Sequence, residues 1–450
     1  MQMSKVQAKY LFIQSLIGGL ALVTLFVFLG ILGGSGRVQA QDNQPAITAP
    51  IGVFTETLTT TVHLPIIAND FGPTADRIGF GATAATFPPY SIIRYPLIRS
   101  LMAGWYTDWS AAFQPARPNG IEYVQMVRVH QKLACGDYYN ADRSACPYAQ
   151  PLDYVALPDV ATVQAIAAAN PGSIWLIGNE MDRVDFSVCA ETVAGKCTKF
   201  TSLGQDEIIP ETYARVYHDV YTAIKAVDPT ARVAIGGVIQ PTPLRLQWLT
   251  IAWDSYKSTY GADMPVDIWN VHNFILREVR EEYGADIPAG LPGNPTVGAY
   301  SKDDRTHVDK TIFDQQIRAM RQWMKDRGQQ EKPLVITEYG VLYSHCVKKS
   351  NGTCDKDLGN EAATHDFMLW TFDYFLNTSD CALGYTADGC RLVQRWLWFS
   401  LDDVSTLANG SLSFSANPHT SLFDKNTLQL RSAGEKFRQY VQDHYAELAK

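Results

Sequence analysis

Two short strings in this chain end an apolar run with a glutamate. Ile174-Trp175-Leu176-Ile177-Gly178-Asn179 runs into Glu180, and Pro333-Leu334-Val335-Ile336-Thr337 runs into Glu338. A carboxylate at the end of a buried strand is costly unless it is paired, hydrogen-bonded or used. For either glutamate alone, a salt bridge at the rim is the simpler account. Brought face to face, the two could divide one reaction. One carboxyl would protonate a leaving oxygen while the other attacked or activated water, as in cleavage of a glycosidic bond. That requires elements able to hold two positions 158 residues apart at one mouth.

The pattern along the chain supplies such elements. Apolar runs at 77–81, 104–109, 121–129, 173–178, 232–239, 266–271, 334–337 and 392–399 read as strands, several of them rich in β-branched and aromatic residues. Residues 90–101 could carry a first helix. Asp159 caps an Ala-rich helix through 169, stopped by Asn170-Pro171-Gly172. Helices are also expected at 211–227, 244–260, 308–327, 360–376 and 433–448. Eight strands alternating with helices or irregular crossovers is the count of a (β/α)8 barrel, and apolar strands without strict alternation suit a parallel sheet buried on both faces. A doubly wound sheet is the alternative. The expected fold is α/β, a single (β/α)8 TIM barrel with disulfide-stapled loops over 76–450, behind a Pro- and Thr-rich linker at 41–75. In such a barrel the chemistry sits at the C-terminal ends of the strands. Glu180 ends the fourth strand and Glu338 the seventh, so the two would face each other across the mouth.

At these positions the residues resemble a known family. The string ending in Asn179-Glu180 resembles the strand-four signature of clan A glycoside hydrolases, and Pro333 through Thr337 with Glu338-Tyr339-Gly340 resembles that clan's strand-seven nucleophile motif. Asp267-Ile268-Trp269-Asn270-Val271-His272-Asn273-Phe274 is similar to its strand-six element, and Arg395-Trp396-Leu397-Trp398-Phe399 to its aromatic eighth strand. Gly104-Trp105-Tyr106-Thr107-Asp108-Trp109 is similar to an early-strand motif in a subset of endo-β-1,3-glucanases. The resemblance covers residues 76–448. It implies a retaining, endo-acting glycosidase of a β-linked polysaccharide, with Glu338 as nucleophile and Glu180 as acid/base. Glu180 should then have a raised pKa while Glu338 is ionised. Asn179 resembles the residue that hydrogen-bonds the sugar 2-hydroxyl. Phe274 stands where the clan usually carries a tyrosine. A catalytically inactive sugar-binding or cell-surface barrel is the alternative function.

Other residues near the strand ends carry two readings each. His272 could orient Glu338, bond a sugar hydroxyl, or pack. Trp398 and Trp105 could stack on sugar rings or fill the barrel. Tyr339 could form a subsite wall. Asp108 could bind a hydroxyl or cap its loop, and Asp402 and Asp403 read as loop caps.

Composition narrows the partners. The net charge of −8 argues against a grip on nucleic acid, whereas ten Trp, 22 Tyr and 19 Phe suit a neutral sugar. No cofactor is expected: Gly79-Phe80-Gly81-Ala82-Thr83-Ala84 matches a dinucleotide pattern, but no acidic residue follows it between Arg77 and Thr107. No metal is expected, since no two of the nine histidines lie within four residues of each other. Lys5 and Lys9 precede an uncharged stretch at 10–36, and Val38-Gln39-Ala40 is an A-x-A-like site. Residues 1–40 read either as a cleaved secretory signal or as a retained membrane anchor, which places the remainder outside the cytosol. The eight cysteines fall in close pairs, Cys135/Cys146, Cys189/Cys197, Cys346/Cys354 and Cys381/Cys390, as expected of disulfides in an exported chain. The first three pairs would follow strands three, four and seven, on the loops that shape the mouth. Sequons stand at Asn351, Asn377 and Asn409. A monomer is expected.

Overall fold

The described residues belong to one compact unit, Ala68–Lys450. The computed structural model describes residues 74–449, apart from 84–90, 137–142, 185–186, 194–195, 203–204, 283, 302–306, 343–345, 349–353, 358 and 414–416. At 187–193, 196–202, 346–348, 354–357 and 413 it describes the backbone alone. The expected signal or anchor at 1–40, nearly all of the linker, and the sequon residue Asn351 therefore lie outside the described residues. Among the described residues no helix is long and apolar enough to cross a membrane.

The strands are β1 (Ala75–Gly81), β2 (Ala103–Thr107), β3 (Glu122–Tyr123), β4 (Gln125–Gln131), β5 (Tyr154–Leu157), β6 (Ile174–Asn179), β7 (Ser187–Val193), β8 (Lys196–Ser202), β9 (Arg232–Gly237), β10 (Trp269–His272), β11 (Leu334–Glu338), β12 (Cys346–Lys348), β13 (Cys354–Asp357), β14 (Arg395–Phe399), β15 (Ser405–Thr406) and β16 (Leu412–Ser413). The helices are α1 (Val160–Ala169), α2 (Pro210–Val227), α3 (Pro243–Tyr260), α4 (Lys310–Asp326), α5 (Glu361–Asn377), α6 (Ser432–Asp443) and α7 (Tyr445–Leu448).

A six-stranded parallel sheet runs in the order β10-β11-β14-β1-β2-β3, and a four-stranded sheet in the order β5-β4-β6-β9. Only Val124 separates β3 from β4. On the other side, parallel bridges Ala234↔Ile268 and Val238↔Val271 connect the neighbourhood of β9 to that of β10. The β6–β9 pairing sets Asn179 opposite Gly237, and the β10–β11 pairing sets His272 opposite Glu338. These registers bring the ends of the fourth and seventh expected strands toward the same place.

The parallel strands are buried on two sides, which is why they lack strict alternation of apolar and polar residues. Ile174 and Leu176 of β6 join Trp105, Val124, Met126, Ala234, Ile268, Val335 and Leu397 in a cluster drawn from the strands and their flanks. Trp175 and Ile177, the intervening residues, belong to the large cluster shared with the helices. The helices follow their end signals. The Asp159 side chain accepts from Thr162 N at the start of α1, and Asp309 accepts from Thr311 N and Ile312 N at the start of α4. Along α4, Ile312, Phe313, Gln316, Ile317, Met320, Trp323 and Met324 are buried at helical spacing. α3 ends at Gly261, whose φ of +69° favours glycine.

Some expectations change. The helix expected at 90–101 is two 3-10 turns, Ile92–Arg94 and Ile98–Leu101. Pro96 lacks an N–H and forces Tyr95 into extended backbone, with φ −83° and ψ 113°. The strand β5, antiparallel to β4, and the antiparallel hairpins β7/β8, β12/β13 and β15/β16 are additions to the expected elements. Disulfides join Cys135 to Cys146 and Cys381 to Cys390, with Cα atoms 5.4 and 4.8 Å apart. The side chains of Cys189, Cys197, Cys346 and Cys354 lie outside the described residues.

Candidate active site

Glu180 follows the last residue of β6 with φ +45°, a left-handed conformation uncommon for a residue with a Cβ. Its N–H donates to Gly237 O at 2.9 Å, which ties the turn to β9. The side chain is buried, with 4% exposure, and both oxygens are engaged. Arg183 Nη1 donates to Oε2 at 2.9 Å, and His272 Nδ1 lies 3.3 Å from Oε1. Arg183 is itself anchored through Nη2 to Gly284 O at 2.8 Å.

Glu338 ends β11 and is buried at 6% exposure. Its Oε1 accepts from the Trp109 indole N–H at 2.5 Å, and His272 Nε2 lies 3.6 Å from that oxygen. One oxygen of Glu180, one ring nitrogen of His272 and one oxygen of Glu338 lie within 4.8 Å of one another. The imidazole thus stands between the carboxylates, with a different nitrogen toward each. This is also the one group among the described residues whose types and spacing could hold a metal ion. Its two nitrogens point to separate carboxylates rather than converging on one point, an arrangement suited to hydrogen-bonded protons.

Small residues make room for these side chains. A Cβ on Gly237 would fall 2.3 Å from His272 Cδ2, so only glycine lets the ring occupy its place. A Cβ on Gly81 would fall 2.8 Å from Trp109 Cη2.

Charge is unevenly divided between the carboxyls. Burial pushes Glu180 up, but Arg183 and His272 outweigh it and bring its pKa down to about 2. Burial pushes Glu338 up to about 7; His272 and the Trp109 N–H oppose the rise, and the charge on Glu180 adds to it. Burial also works against a charged His272, but Glu338 and Glu180 outweigh it and raise the imidazole's pKa. The sequence reading expected the reverse, with Glu180 raised and Glu338 ionised. Arg183 is the physical reason for the difference: its cation rests on Glu180 and not on Glu338.

Of the other expected site residues, Asn179 joins the cluster in sequence and burial. Its N–H donates to Asp206 Oδ2 at 2.9 Å, and its Oδ1 has no hydrogen-bond partner among the described residues. Tyr339 and Trp398 do not join. Tyr339, expected as a subsite wall, is fully buried against Phe313, Phe375 and Trp398. Trp398 is likewise buried, donating its indole N–H to Thr420 O at 2.8 Å and packing edge-on against Phe372. Trp105 packs in the strand cluster beneath the Arg395 guanidinium, 4.4 Å from the ring centroid. Strand alternation explains Tyr339: its neighbour Glu338 takes the face toward the carboxylates. Asp108 caps its turn, accepting from Ser110 Oγ at 2.7 Å and Tyr123 OH at 2.5 Å. Asp402 holds Thr83 and Tyr95.

Sequence reasoning gave no role to Trp109, Arg183 or Asp206. Trp109 stands one residue past Asp108, two beyond the end of β2 at Thr107. Arg183 lies three residues past Glu180, a spacing that could have suggested a partner. Asp206 offered no local signal. It is fully buried, and its carboxylate accepts from Val129 N and Asn179 N, both at 2.9 Å, and from Arg128 Nε at 2.5 Å.

No protein-family model matches the chain. No curated relative matches it either. Among solved structures, it is similar to a GH128 (subgroup II) endo-beta-1,3-glucanase from Sorangium cellulosum, with 14% identity, a TM-score of 0.43, and coverage of 81% of this chain and 98% of that one. It is similar to a GH5_18 structure from Streptomyces cattleya in complex with GlcNAc, with 11% identity, a TM-score of 0.45, and coverage of 84% and 82%. It is also similar to a glucosidase from Croceicoccus marinus, with 13% identity, a TM-score of 0.43, and coverage of 82% and 68%.

Proposed function

We propose that this chain is a retaining glycoside hydrolase built on a (β/α)8 barrel, cleaving O-glycosidic bonds in a β-linked polysaccharide. The observation that carries the reading is the pairing of Glu180 and Glu338. They end two parallel strands and bring carboxylate oxygens within 4.8 Å of each other. Retaining enzymes hold their carboxyls ~5–5.5 Å apart, whereas inverting ones leave ~6.5–9.5 Å for a water molecule. For the barrel, the support is the run of pairings β1-β2-β3, β4-β6-β9 and β10-β11-β14-β1, with single bridges between the neighbourhoods of β9 and β10.

In this reading Glu338 attacks the anomeric carbon as a carboxylate. Glu180 gives its proton to the departing oxygen, then takes one from the water that frees the sugar. Asn179, whose Oδ1 has no hydrogen-bond partner among the described residues, would accept from the sugar 2-hydroxyl. The action is endo, and the protein works outside the cytosol as a monomer, either secreted or held to a membrane through 10–36. The disulfide-joined loop at Cys135–Cys146 suits such a compartment.

The test is release of reducing ends from a panel of β-glucans, xylan, mannan and galactan. Glu180→Gln and Glu338→Gln are expected to abolish release from the polymer that the wild-type protein degrades. No release from any polymer, or variants as active as the parent, would leave a sugar-binding barrel without catalysis.

A further inference from the structure

Glu180 must offer an oxygen to the leaving group, yet neither of its oxygens is open. Oε1 faces His272, and Oε2 is held by Arg183, which Gly284 O steadies from behind. Two buried carboxylates within 4.8 Å cannot both ionise cheaply. The one that carries the arginine keeps its charge, and the proton of the pair is left to the other side. There Glu338 Oε1 already has the Trp109 N–H, and His272 Nε2 points toward it with no hydrogen-bond partner of its own among the described residues.

We propose that Arg183 is a positioning residue that keeps the resting site's proton off Glu180, on the Glu338–His272 side, until a substrate hydroxyl donates to Glu180 Oε2 in its place. This rests on the glycosidase reading and adds a step to it: the resting pair is not the reacting pair. When Arg183 gives up Oε2, the negative charge on Glu180 loses its partner. Glu338 can then release its proton to His272 Nε2 while His272 Nδ1 releases one to Glu180 Oε1. The imidazole changes tautomer, one proton has moved from Glu338 to Glu180, and no charge is created. The charged groups around Glu180 are Arg183 and Asp182 from its own loop, His272 from β10 and Glu338 from β11; Arg128 of β4 acts on Glu338. The downward shift of Glu180 and the upward shift of Glu338 run in the direction this arrangement requires.

The experiment needs no substrate, so its failure is distinct from failure of the polysaccharide assay. The full chain, labelled with glutamate carrying 13C at the side-chain carboxyl, is titrated by NMR. Glu180→Gln and Glu338→Gln assign the two signals. In the wild-type protein Glu180 should remain ionised well below the ordinary glutamate midpoint of 4.5, while Glu338 titrates above it. Arg183→Met should raise the Glu180 midpoint by roughly 1–3 units and lower that of Glu338. Arg183→Lys, which keeps the cation, should restore most of the wild-type pattern, an outcome that a purely structural role would not produce. A wild-type Glu180 that titrates above Glu338, or midpoints that Arg183→Met leaves unmoved, would overturn the proposal, and the wild-type measurement decides even if the Met variant fails to fold.

Discussion

Trp109 reaches Glu338 with a single indole N–H, and its ring packs edge-on against Phe399 with centroids 5.9 Å apart. The bond is made to the group proposed as nucleophile, so its strength should follow the charge on that group. Trp109→Phe keeps most of the ring and removes only the donor. In the glycosidase reading the activity is expected to fall roughly 10- to 100-fold, the loss of a charge-assisted hydrogen bond of about 1.5–3 kcal/mol. The Glu338 midpoint should rise further, because the donor favours the ionised carboxyl. Steady-state kinetics on the active polymer and the carboxyl titration check the two effects, and an unchanged rate would remove Trp109 from the chemistry. The places of Asn179, Glu180 and Glu338 at the ends of β6 and β11 were legible in the sequence because an apolar run that stops at a polar residue marks a strand end. Trp109 closes the string at 104–109 and Arg183 lies three residues past Glu180, but nothing in the order of letters says which way a side chain turns after the strand. The φ of +45° at Glu180 is part of what sets that direction, at a residue whose N–H donates to Gly237 O.

At the scale of elements, Asp206 fastens β4 to β6. It is far from both in sequence, yet its carboxylate takes the Val129 and Asn179 N–H groups and the Arg128 guanidinium. Removing it would take the acceptor from a buried N–H of each strand. Asp206→Ala is expected to destabilise the fold by about 3–5 kcal/mol, the typical loss when one member of a buried pair is taken away. Urea unfolding measures this, and a change within ordinary surface variation would show that the strands hold register without it. Most strands and helices were legible from local signals: apolar runs, Asp caps and Gly stops. The exceptions are instructive. Pro96 breaks the expected helix at 90–101 for a reason visible in the sequence. The hairpin strand β8, with two lysines, two threonines and a serine in seven residues, lacks the apolar pattern that marks a buried strand, and its pairing with β7 is antiparallel. Tyr339 and Trp398 look like binding aromatics because they sit in motif strings, yet both pack against the helical layer.

For the whole molecule, the divided charge at the site makes stability depend on pH. An unfolded glutamate releases its proton near its ordinary value of 4.5, while folded Glu338 keeps it to about 7. Between those values the folded state binds more protons, so stability falls as pH rises, and the deficit persists above 7. Glu180 acts oppositely: brought down to about 2, it contributes stability above 4.5 that is lost as pH falls toward 2. Glu338→Gln removes the first effect. The variant is expected to be more stable than the wild-type protein at pH ~8, on the order of 1–3 kcal/mol, with the gain shrinking toward pH ~5. Thermal melts of both proteins at the two pH values test this. A variant less stable than the parent at the higher pH would show that Glu338 is not held protonated by burial.

The sequence by itself determined the alternation of strands and helices, the burial of those strands on both sides, and the two glutamates at strand ends. These follow from local chemistry: propensity, period, caps and the cost of a buried charge. Only the tertiary structure decided which groups share the site and which carboxyl keeps its charge. That depends on Arg183 resting on Glu180, on His272 fitting between the carboxylates where Gly237 leaves space, and on Trp109 turning toward Glu338. Each is a contact between segments whose meeting is set by packing, and electrostatic coupling follows distance in space rather than distance along the chain.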